Sequence, residues 1–302
     1  MKDVRADLAT GPLAVERRAP SALSNYLALT KPRLNLLVVL TSAGGYYLGA
    51  GDRTPELLPM AQAVAGTALV AGGAAVLNQL YERDTDALMR RTRLRPLPDG
   101  RVSPADARAF GLVLAAAGLV ALLFTNVLAA LLAAATLAVY LVVYTPMKRR
   151  STASTLVGAI PGALPPTIGW AAADGSLPAG GWALFAIVFL WQIPHFMAIA
   201  WMYRDDYERA GFPMLPVLEP DGKRTGRQAV LYSVLLLPVS LVPTLAGVSG
   251  LGYFAVALLL GIGMIVLSVR FARHRTDETA RALFYGSITY LPLVWAAMIL
   301  NH

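Results

Sequence analysis

The chain has no cysteine and little charge. Among its 302 residues there are no Cys and only three His, which excludes disulfide bonds, thiolate metal sites and a cysteine nucleophile. Charged residues make up 15% of the chain and hydrophobic residues 56%, whereas a soluble globular protein carries about 25% charged residues. The composition therefore indicates a protein that lies in a membrane along most of its length.

Long apolar runs occupy most of the sequence, and nine of them can cross about 30 Å of hydrocarbon. They lie near residues 34–50, 57–80, 107–125, 127–144, 154–173, 181–203, 228–247, 250–269 and 282–300. We therefore predict an all-α polytopic membrane protein with nine transmembrane helices in one bundle. An odd number of spans places the two ends of the chain on opposite sides of the membrane.

The basic residues indicate the orientation of this bundle. Of the 26 Lys and Arg residues, 25 fall on one side of the predicted membrane, and Arg53 falls on the other. Because an excess of Lys and Arg marks cytoplasmic loops, we predict a cytoplasmic N-terminus and a C-terminus outside. The net charge of +8 then reflects topology and requires no nucleic-acid partner.

The first 26 residues differ from the rest of the chain. They contain three acidic residues and no apolar run, unlike a cleaved signal peptide or an acid-poor transit peptide. We predict a disordered cytoplasmic arm over residues 1–26 and a single nine-helix transmembrane domain over residues 27–302. The lack of a transit peptide favours a bacterial inner (plasma) membrane over a mitochondrial one.

Two predicted cytoplasmic helix ends resemble each other. One reads YERDTDALMRRTRLRPLP, and the other reads MYRDDYERAGFPMLPV, with its Arg-Asp pair 121 residues later. Each leads from a long apolar helix through an aromatic residue, Arg and Asp to a Pro-Leu or Leu-Pro stop. The likeness suggests an internal duplication that brings two acidic helix ends to one site.

The first of these ends carries three oxygen-bearing side chains on one helix face. Asn78, Glu82 and Asp86 are spaced by four residues, which spreads them over about 80° of a helix along roughly 12 Å. One interpretation is a solvated loop whose acids pair with Arg83, Arg90 and Arg91. The other is a metal site, and oxygen ligands alone suit Mg²⁺ better than Zn²⁺.

Basic residues of the same loops can complete such a site. Mg²⁺ often shares its coordination with phosphate oxygens, and cationic side chains bind the remaining phosphate charge. The basic residues that these loops offer are Arg91, Arg95, Lys148, Arg149 and Arg150, and the first four are our predicted diphosphate-binding residues. The pattern therefore indicates a site for a metal-bound diphosphate at the cytoplasmic mouth of the bundle.

Several motifs resemble those of a known family. NQLYERDTD, followed by RTRLRPLPDGRVSP, is similar to the first acidic motif of the intramembrane prenyltransferases, the UbiA superfamily. LTKPR, YTPMKRR, GAIPGALPPTIGW and WQIPHFMAIAWMYRDDYERAGFPMLPV resemble the branch that attaches farnesyl to protohaem IX. The likeness covers about residues 25–295 and implies nine helices around a central cavity.

The resemblance also implies roles for individual residues. Asn78, Glu82 and Asp86, with Asp205 or Asp206 opposite, would be the catalytic Mg²⁺ ligands, and Asp206 is our choice between the two. Lys31 is either a topology anchor or one more diphosphate contact. Tyr203 or a carboxylate of the second motif would position the water that completes the reaction. The sequence departs from the family pattern at Gln79 and Glu82, where Asp is usual.

His195 is the candidate contact to the acceptor. Of the three histidines it is the one predicted deep in a span, and it could be an axial ligand of haem iron. The alternative is a buried imidazole bonded to a carbonyl group that neighbouring Pro194 leaves free.

The resemblance implies a farnesyl transfer from farnesyl diphosphate to a vinyl group of haem B (protohaem IX), with hydration, giving haem O. The expected partners are these two substrates and membrane lipid, with a haem-modifying enzyme or a terminal oxidase downstream. One alternative is prenyl transfer to an aromatic quinone precursor. The other is a secondary transporter with an ion site on the cytoplasmic side.

Overall fold

The computed structural model describes residues 21–302, and helices make up most of this part of the chain. They are α1 (Ala22–Leu29), α2 (Pro32–Gly49), α3 (Leu57–Tyr81), α4 (Arg83–Asp86), α5 (Pro104–Thr125), α6 (Val127–Ala138), a π-helical turn (Val139–Tyr144), α7 (Thr145–Met147), α8 (Ser154–Asp174), α9 (Ala179–Met202), α10 (Arg204–Arg209), α11 (Leu215–Leu218), α12 (Lys223–Leu245), α13 (Leu251–His274) and α14 (Asp277–Leu300). The fold is all-α, as predicted.

All nine predicted apolar stretches coincide with long helical segments, and their ends agree within five residues. Within residues 21–302, eight helical segments are long and apolar enough to cross a membrane, the third of them being α6, the π-helical turn and α7 together. Helix α2 is 18 residues long but is not among the eight, because Asn, Thr, Ser, Gly and Tyr residues dilute its apolar character. The count of nine spans and the orientation of the termini therefore stay predictions.

The proposed disordered arm lies outside the described residues except at its end. Residues 22–26 belong to α1, which begins after Ser21, whose side chain accepts a hydrogen bond from the Ser24 amide at 3.2 Å. An N-cap of this kind satisfies one of the free amide groups at a helix start. Residues 22–26, which were predicted to be part of the arm, are therefore helical.

Small residues allow the helices of the bundle to approach each other closely. A Cβ atom on Gly73 of α3 would meet the backbone of Gly111 and Ala115 in α5, and one on Gly118 would meet the backbone of Gly66 in α3. Close backbone approach at small residues is how membrane helices associate when lipid removes the hydrophobic drive between them. Helix α3 is packed closely against α5 in this way. Its last turn carries Asn78, and Glu82 and α4 follow directly after it.

The outer surface of the bundle is apolar. Large hydrophobic side chains such as Leu112, Phe124, Val142 and Leu259 are exposed there, as expected for helices that face lipid. The chain is an integral membrane protein. Many of its charged groups lie at one end of the bundle, formed by Lys31 and residues 78–103, 145–153 and 203–222, which we call the charged end, whereas Arg53 and Asp174 pair at the opposite end.

The two similar sequence motifs follow the same local course at the charged end. Helix α3 stops at Tyr81, Glu82 leaves helical geometry (φ −90°, ψ 4°), and the short α4 follows. Helix α9 stops at Met202, Tyr203 does the same (φ −113°, ψ 21°), and the short α10 follows. Glu82 and Tyr203 are separated by the same offset as the two Arg-Asp pairs, which supports the suggested duplication.

Candidate active site

The three oxygen-bearing side chains of the first motif lie together inside the charged end. The amide of Glu82 donates to the Asn78 carbonyl at 2.9 Å, and the amide of Asp86 donates to the Glu82 carbonyl at 2.8 Å. These bonds keep helical spacing through the break, so the three side chains share one face, as predicted. All three are buried, with exposures of 1%, 5% and 1% for Asn78, Glu82 and Asp86.

Each of these three side chains has its own cation. Lys148 donates to Glu82 at 2.7 Å, and Arg95 donates to Asp86 at 2.7 Å. Lys31 donates to the side-chain oxygen of Asn78 at 3.3 Å. Three of the predicted diphosphate-binding residues are thus brought to the predicted acidic face from three separate segments of the chain.

The interpretation of the first motif as a solvated loop is wrong for Glu82 and Asp86. Their partners come from Lys148 and Arg95, not from Arg83 or the Arg90-Arg91 pair, and both carboxylates are buried. It is correct for Asp84, which is exposed and pairs with Arg83 at 3.0 Å. Buried carboxylates are costly unless paired, which explains why each has a close cation.

Lys31 occupies an unusual position. Its backbone has positive φ (51°) immediately before Pro32, at the N-cap of α2, a conformation that costs a non-glycine residue about 1 kcal/mol or more. Burial, together with the nearby charge of Arg95, lowers the pKa of Lys31 to about 8. Crowded, desolvated cations of this kind favour the binding of an anion.

The π-helical turn and the first residue of α7 add three residues to the site, Tyr140, Tyr144 and Thr145, that the sequence did not indicate. Tyr140 donates to the Asn78 side-chain oxygen at 3.3 Å. The Asn78 amide donates to Thr145 at 3.1 Å, and Thr145 donates to the carbonyl of Tyr140 at 2.7 Å. The Tyr144 ring centroid lies 5.2 Å from the ammonium of Lys148. Asn78 is thereby fixed in orientation, with its oxygen toward Lys31 and Tyr140.

The sequence contains one signal for this turn, Pro146. Pro146 has no amide hydrogen, so it cannot bond the carbonyl four residues earlier, and single π-helical turns in α-helices are frequent at functional sites. The turn also advances the helix so that Lys148 reaches Glu82. The short motif YTPMKRR therefore contains both the cause of the distortion and the cation that it places.

The second motif has two adjacent acids, and only one of them is buried in the charged end. Asp206 is buried and pairs with Arg209, whereas the side chain of Asp205 is 82% exposed and lies 3.9 Å from Arg204. Arg204 also pairs with Asp277 at 2.8 Å. Of the two adjacent acids, the structure encloses Asp206 and leaves Asp205 at the surface.

Arg91 connects the two motifs. Its guanidinium lies 4.9 Å from the Tyr203 ring centroid and 5.9 Å from that of Tyr207. The ammonium of Lys148 lies 5.5 Å from the ring of Phe212, which belongs to the segment after α10. These aromatic contacts hold the two loops against each other. Arg149 is exposed and makes no ion pair with any residue from 21 to 302.

The donor set can be compared with what Mg²⁺ requires. Nowhere in residues 21–302 do three His, Cys, Asp or Glu side chains lie close enough to hold a metal ion. Mg²⁺ usually binds through one or two carboxylates together with substrate phosphates and water. Glu82 and Asp86, with the Asn78 oxygen beside them, match that requirement, so the residues fit a metal that arrives with its diphosphate.

His195 lies away from these charges, within α9. Its Nδ1 is 2.8 Å from the hydroxyl of Ser287 on α14, so the partner of this nitrogen is a hydroxyl group and not the carbonyl expected beside Pro194. The role as a haem ligand and the role as a buried, hydrogen-bonded imidazole both stay predictions. The imidazole is half-buried between the rings of Trp191 and Phe284. Aromatic stacking on both faces fixes the plane of the ring.

The fold and the site together define a membrane protein with a buried oxygen and cation site suited to a metal-bound anion. Comparison with known proteins gives the family. The model of the UbiA prenyltransferase family matches residues 37–294. The chain belongs to this family and is an enzyme that transfers a prenyl group.

Relatives and solved structures agree with this assignment. The chain is 49% identical to the protoheme IX farnesyltransferase of Solibacter usitatus (strain Ellin6076), over 92% of this chain and 99% of that protein. It is 44% identical to the enzyme of the same name from Koribacter versatilis (strain Ellin345), over 97% of this chain and 98% of that protein.

Two solved structures share the fold. A digeranylgeranylglyceryl phosphate synthase is 19% identical with a TM-score of 0.78, over 92% of this chain and 98% of that one. A UbiA homologue from Archaeoglobus fulgidus bound to GPP and Mg²⁺ is 17% identical with a TM-score of 0.62, over 91% and 99%.

Proposed function

We propose that the chain transfers the farnesyl group of farnesyl diphosphate to a vinyl group of haem B, with hydration, giving haem O. The reaction type is supported by the buried Asn78, Glu82 and Asp86, each with a cation at hydrogen-bonding distance. The choice of substrates is supported by the relatives named protoheme IX farnesyltransferase, which are 44–49% identical over almost the whole chain.

Glu82, Asp86 and Asn78 would hold Mg²⁺ together with the diphosphate, and Asp206 would supply a further oxygen from the second motif. The bound ion supplies a positive charge that stabilises the leaving diphosphate. With the carboxylates on the metal, Lys148 and Arg95 would be free to bind the diphosphate oxygens, and Lys31, beside Asn78, would add a third cation. Lys148 and Arg95 would each exchange a carboxylate partner for a phosphate partner.

Charge stabilisation by fixed groups is sufficient for the bond-breaking step. The allylic C–O bond breaks as its electron pair leaves with the diphosphate, and the farnesyl group becomes a cation. No nucleophilic side chain is needed. The apolar interior of the bundle keeps water from the cation until the vinyl group attacks it.

The vinyl carbon then forms the new C–C bond, and a cation develops beside the porphyrin ring. A water molecule adds to that cation and releases one proton, leaving a hydroxyethylfarnesyl substituent. We place His195 at the porphyrin, as a ligand of its iron. Tyr203, stacked on Arg91, remains our candidate for positioning the water, and unchanged product from Tyr203→Phe would remove it from that role.

The topology and location belong to the same proposal. The charged end would face the cytoplasm of a bacterium, in its inner membrane. A haem-modifying enzyme or terminal oxidase would receive the product. The transporter alternative loses its basis because the chain belongs to a prenyltransferase family.

The test is product formation in membranes that contain the protein. Protohaem IX and farnesyl diphosphate are supplied with Mg²⁺ or with a chelator, and haem products are separated by chromatography and weighed by mass spectrometry. Mg²⁺-dependent hydroxyethylfarnesyl haem is the expected result. Product from an aromatic quinone precursor, with none from haem, would support the alternative acceptor. Asp86→Asn serves as the inactive control, and Asp84→Asn, exposed on the same short helix, serves as the active one.

A further inference from the structure

Ser287 of α14 contacts the one histidine that lies in the middle of a helix. Its hydroxyl oxygen is 2.8 Å from Nδ1 of His195, and the serine is fully buried. The same hydroxyl donates to the carbonyl of Phe284 at 2.6 Å. Ser287 therefore makes two hydrogen bonds with a single oxygen.

The hydrogen count decides the direction of the bond to His195. A serine hydroxyl carries one hydrogen and can accept with its lone pairs. Since that hydrogen goes to the Phe284 carbonyl, the Ser287 oxygen must accept from His195. The imidazole is therefore protonated on Nδ1, and in the neutral ring Nε2 then carries a lone pair.

The second ring nitrogen of His195, Nε2, has no hydrogen-bond partner among residues 21–302. Nε2 is also not among the fully enclosed polar atoms without a partner in that range. The atom therefore reaches the exposed part of this half-buried side chain. An accessible imidazole lone pair in an apolar environment is a ligand for a metal or an acceptor for a donor group.

Trp191 contacts both residues of this pair, Ser287 and His195. Its indole nitrogen donates to the backbone carbonyl of Ser287 at 2.7 Å. Its ring also stacks on His195, with centroids 5.2 Å apart and planes 19° apart, while Phe284 covers the other side at 5.0 Å and 22°. Helices α9 and α14 are thus connected by two polar contacts, both through Ser287.

We propose that Ser287 is a positioning residue that fixes His195 with its hydrogen on Nδ1, so that Nε2 binds the iron of the porphyrin acceptor. This inference rests on the proposed function, because it takes haem as the acceptor. A hydrogen-bond partner on the distal nitrogen commonly sets the tautomer and orientation of a metal-binding histidine, and its loss lowers metal affinity about 10- to 100-fold.

The first measurement is haem binding by purified protein in detergent, without farnesyl diphosphate. Ferric haem is titrated into wild type, Ser287→Ala, Ser287→Thr and Tyr290→Phe, and the Soret band and electron paramagnetic resonance spectrum are recorded. Ser287→Ala should weaken binding about 10-fold or more and change the spin state. Ser287→Thr keeps the hydroxyl and should bind within about threefold of wild type.

Tyr290→Phe is the matched structural control. It removes a buried hydrogen bond of the same helix, between Tyr290 of α14 and Ser240 of α12, and leaves His195 and its Nδ1 partner in place. Its spectrum should resemble wild type, and its elution from a sizing column should show whether loosening α14 alone alters the protein. A Tyr290→Phe spectrum that changed as much as that of Ser287→Ala would overturn the proposal in favour of a packing role.

A chemical rescue tests the hydrogen itself. In His195→Gly, imidazole can supply both the N–H group and the lone pair, whereas 1-methylimidazole supplies only the lone pair. Imidazole should restore the wild-type spectrum at a concentration several-fold lower than 1-methylimidazole. Adding Ser287→Ala to this variant should abolish the difference, and equal rescue by both compounds in the presence of Ser287 would overturn the proposal.

Failure of this inference and failure of the proposed function give different results. If His195→Ala binds haem with the wild-type spectrum, the iron ligand lies elsewhere and the role of Ser287 is overturned, while product formation by wild type still supports the function. If wild type forms no haem product and binds no haem, the function itself fails and the inference fails with it.

Discussion

The ammonium group of Lys148 lies 2.7 Å from the carboxylate of Glu82, although the two residues are 66 positions apart. The Glu82 side chain is 5% exposed and that of Lys148 is 16% exposed. The buried carboxylate of Glu82 is thus held as an ion pair by a cation that we propose to bind diphosphate. This relationship allows stability and activity to be separated by experiment.

We expect Lys148→Met to destabilise the protein and to abolish activity. The substitution leaves Glu82 buried without a cation, and breaking one side of a buried pair costs about 3–5 kcal/mol. The double variant Glu82→Gln/Lys148→Met should regain most of the thermal stability and remain inactive. Melting in detergent measures the first effect and product formation the second.

Arg150→Met is the control for that pair, because Arg150 is exposed and should melt like wild type. A double variant that melts as low as Lys148→Met would contradict a direct ion pair between Glu82 and Lys148.

Asp86→Asn should lower the rate about 100-fold or more, because it removes a metal ligand from the site where leaving-group charge is stabilised. Asp84→Asn should stay within about twofold of wild type, since exposed ion pairs contribute little. The rates are measured at saturating Mg²⁺. Equal losses in the two variants would show that the charge of the short helix matters and the position of Asp86 does not.

The adjacent acids of the second motif provide a similar comparison. Asp206→Asn should reduce activity about 10-fold or more, because the buried Asp206 would supply an oxygen to the metal or hold Arg209 in place. Asp205→Asn should leave activity within about twofold, since its side chain is 82% exposed. The opposite order of effects would reassign the second metal ligand to Asp205.

Tyr140→Phe should reduce activity roughly fivefold, the effect of losing one hydrogen bond of about 1 kcal/mol to the Asn78 oxygen. The Mg²⁺ concentration that gives half-maximal rate should rise as well, because Asn78 loses a group that orients it. Tyr81→Phe is the control, being exposed at the same helix end. An unchanged Mg²⁺ dependence in Tyr140→Phe would argue against Asn78 as a metal ligand.

The sequence predicted the helices well because each depends on a local property. Apolar runs of sufficient length located all nine long helical segments within five residues. The four-residue spacing placed Asn78, Glu82 and Asp86 on one face, and that face continues through the break at Glu82. These predictions needed only hydrophobicity and helical periodicity.

The parts that could not be predicted depend on contacts between distant segments. Spacing alone could not assign Lys148 to Glu82 or Arg95 to Asp86, and it could not show that Asp206 turns inward while Asp205 faces out. The π-helical turn that brings Tyr140 to Asn78 changes the register of a helix that hydrophobicity predicts as regular. Ser287 gave no signal, because a lone serine in an apolar helix has meaning only once its partner His195 is known.

The most direct test of the whole account is the mass of the product formed in ¹⁸O-labelled water from protohaem IX, farnesyl diphosphate and Mg²⁺. The expected product is a haem that has gained one farnesyl group and one labelled hydroxyl group, with no such product when Mg²⁺ is chelated. A farnesylated haem without the labelled oxygen, or no modified haem at all beside an active reference enzyme, would contradict it.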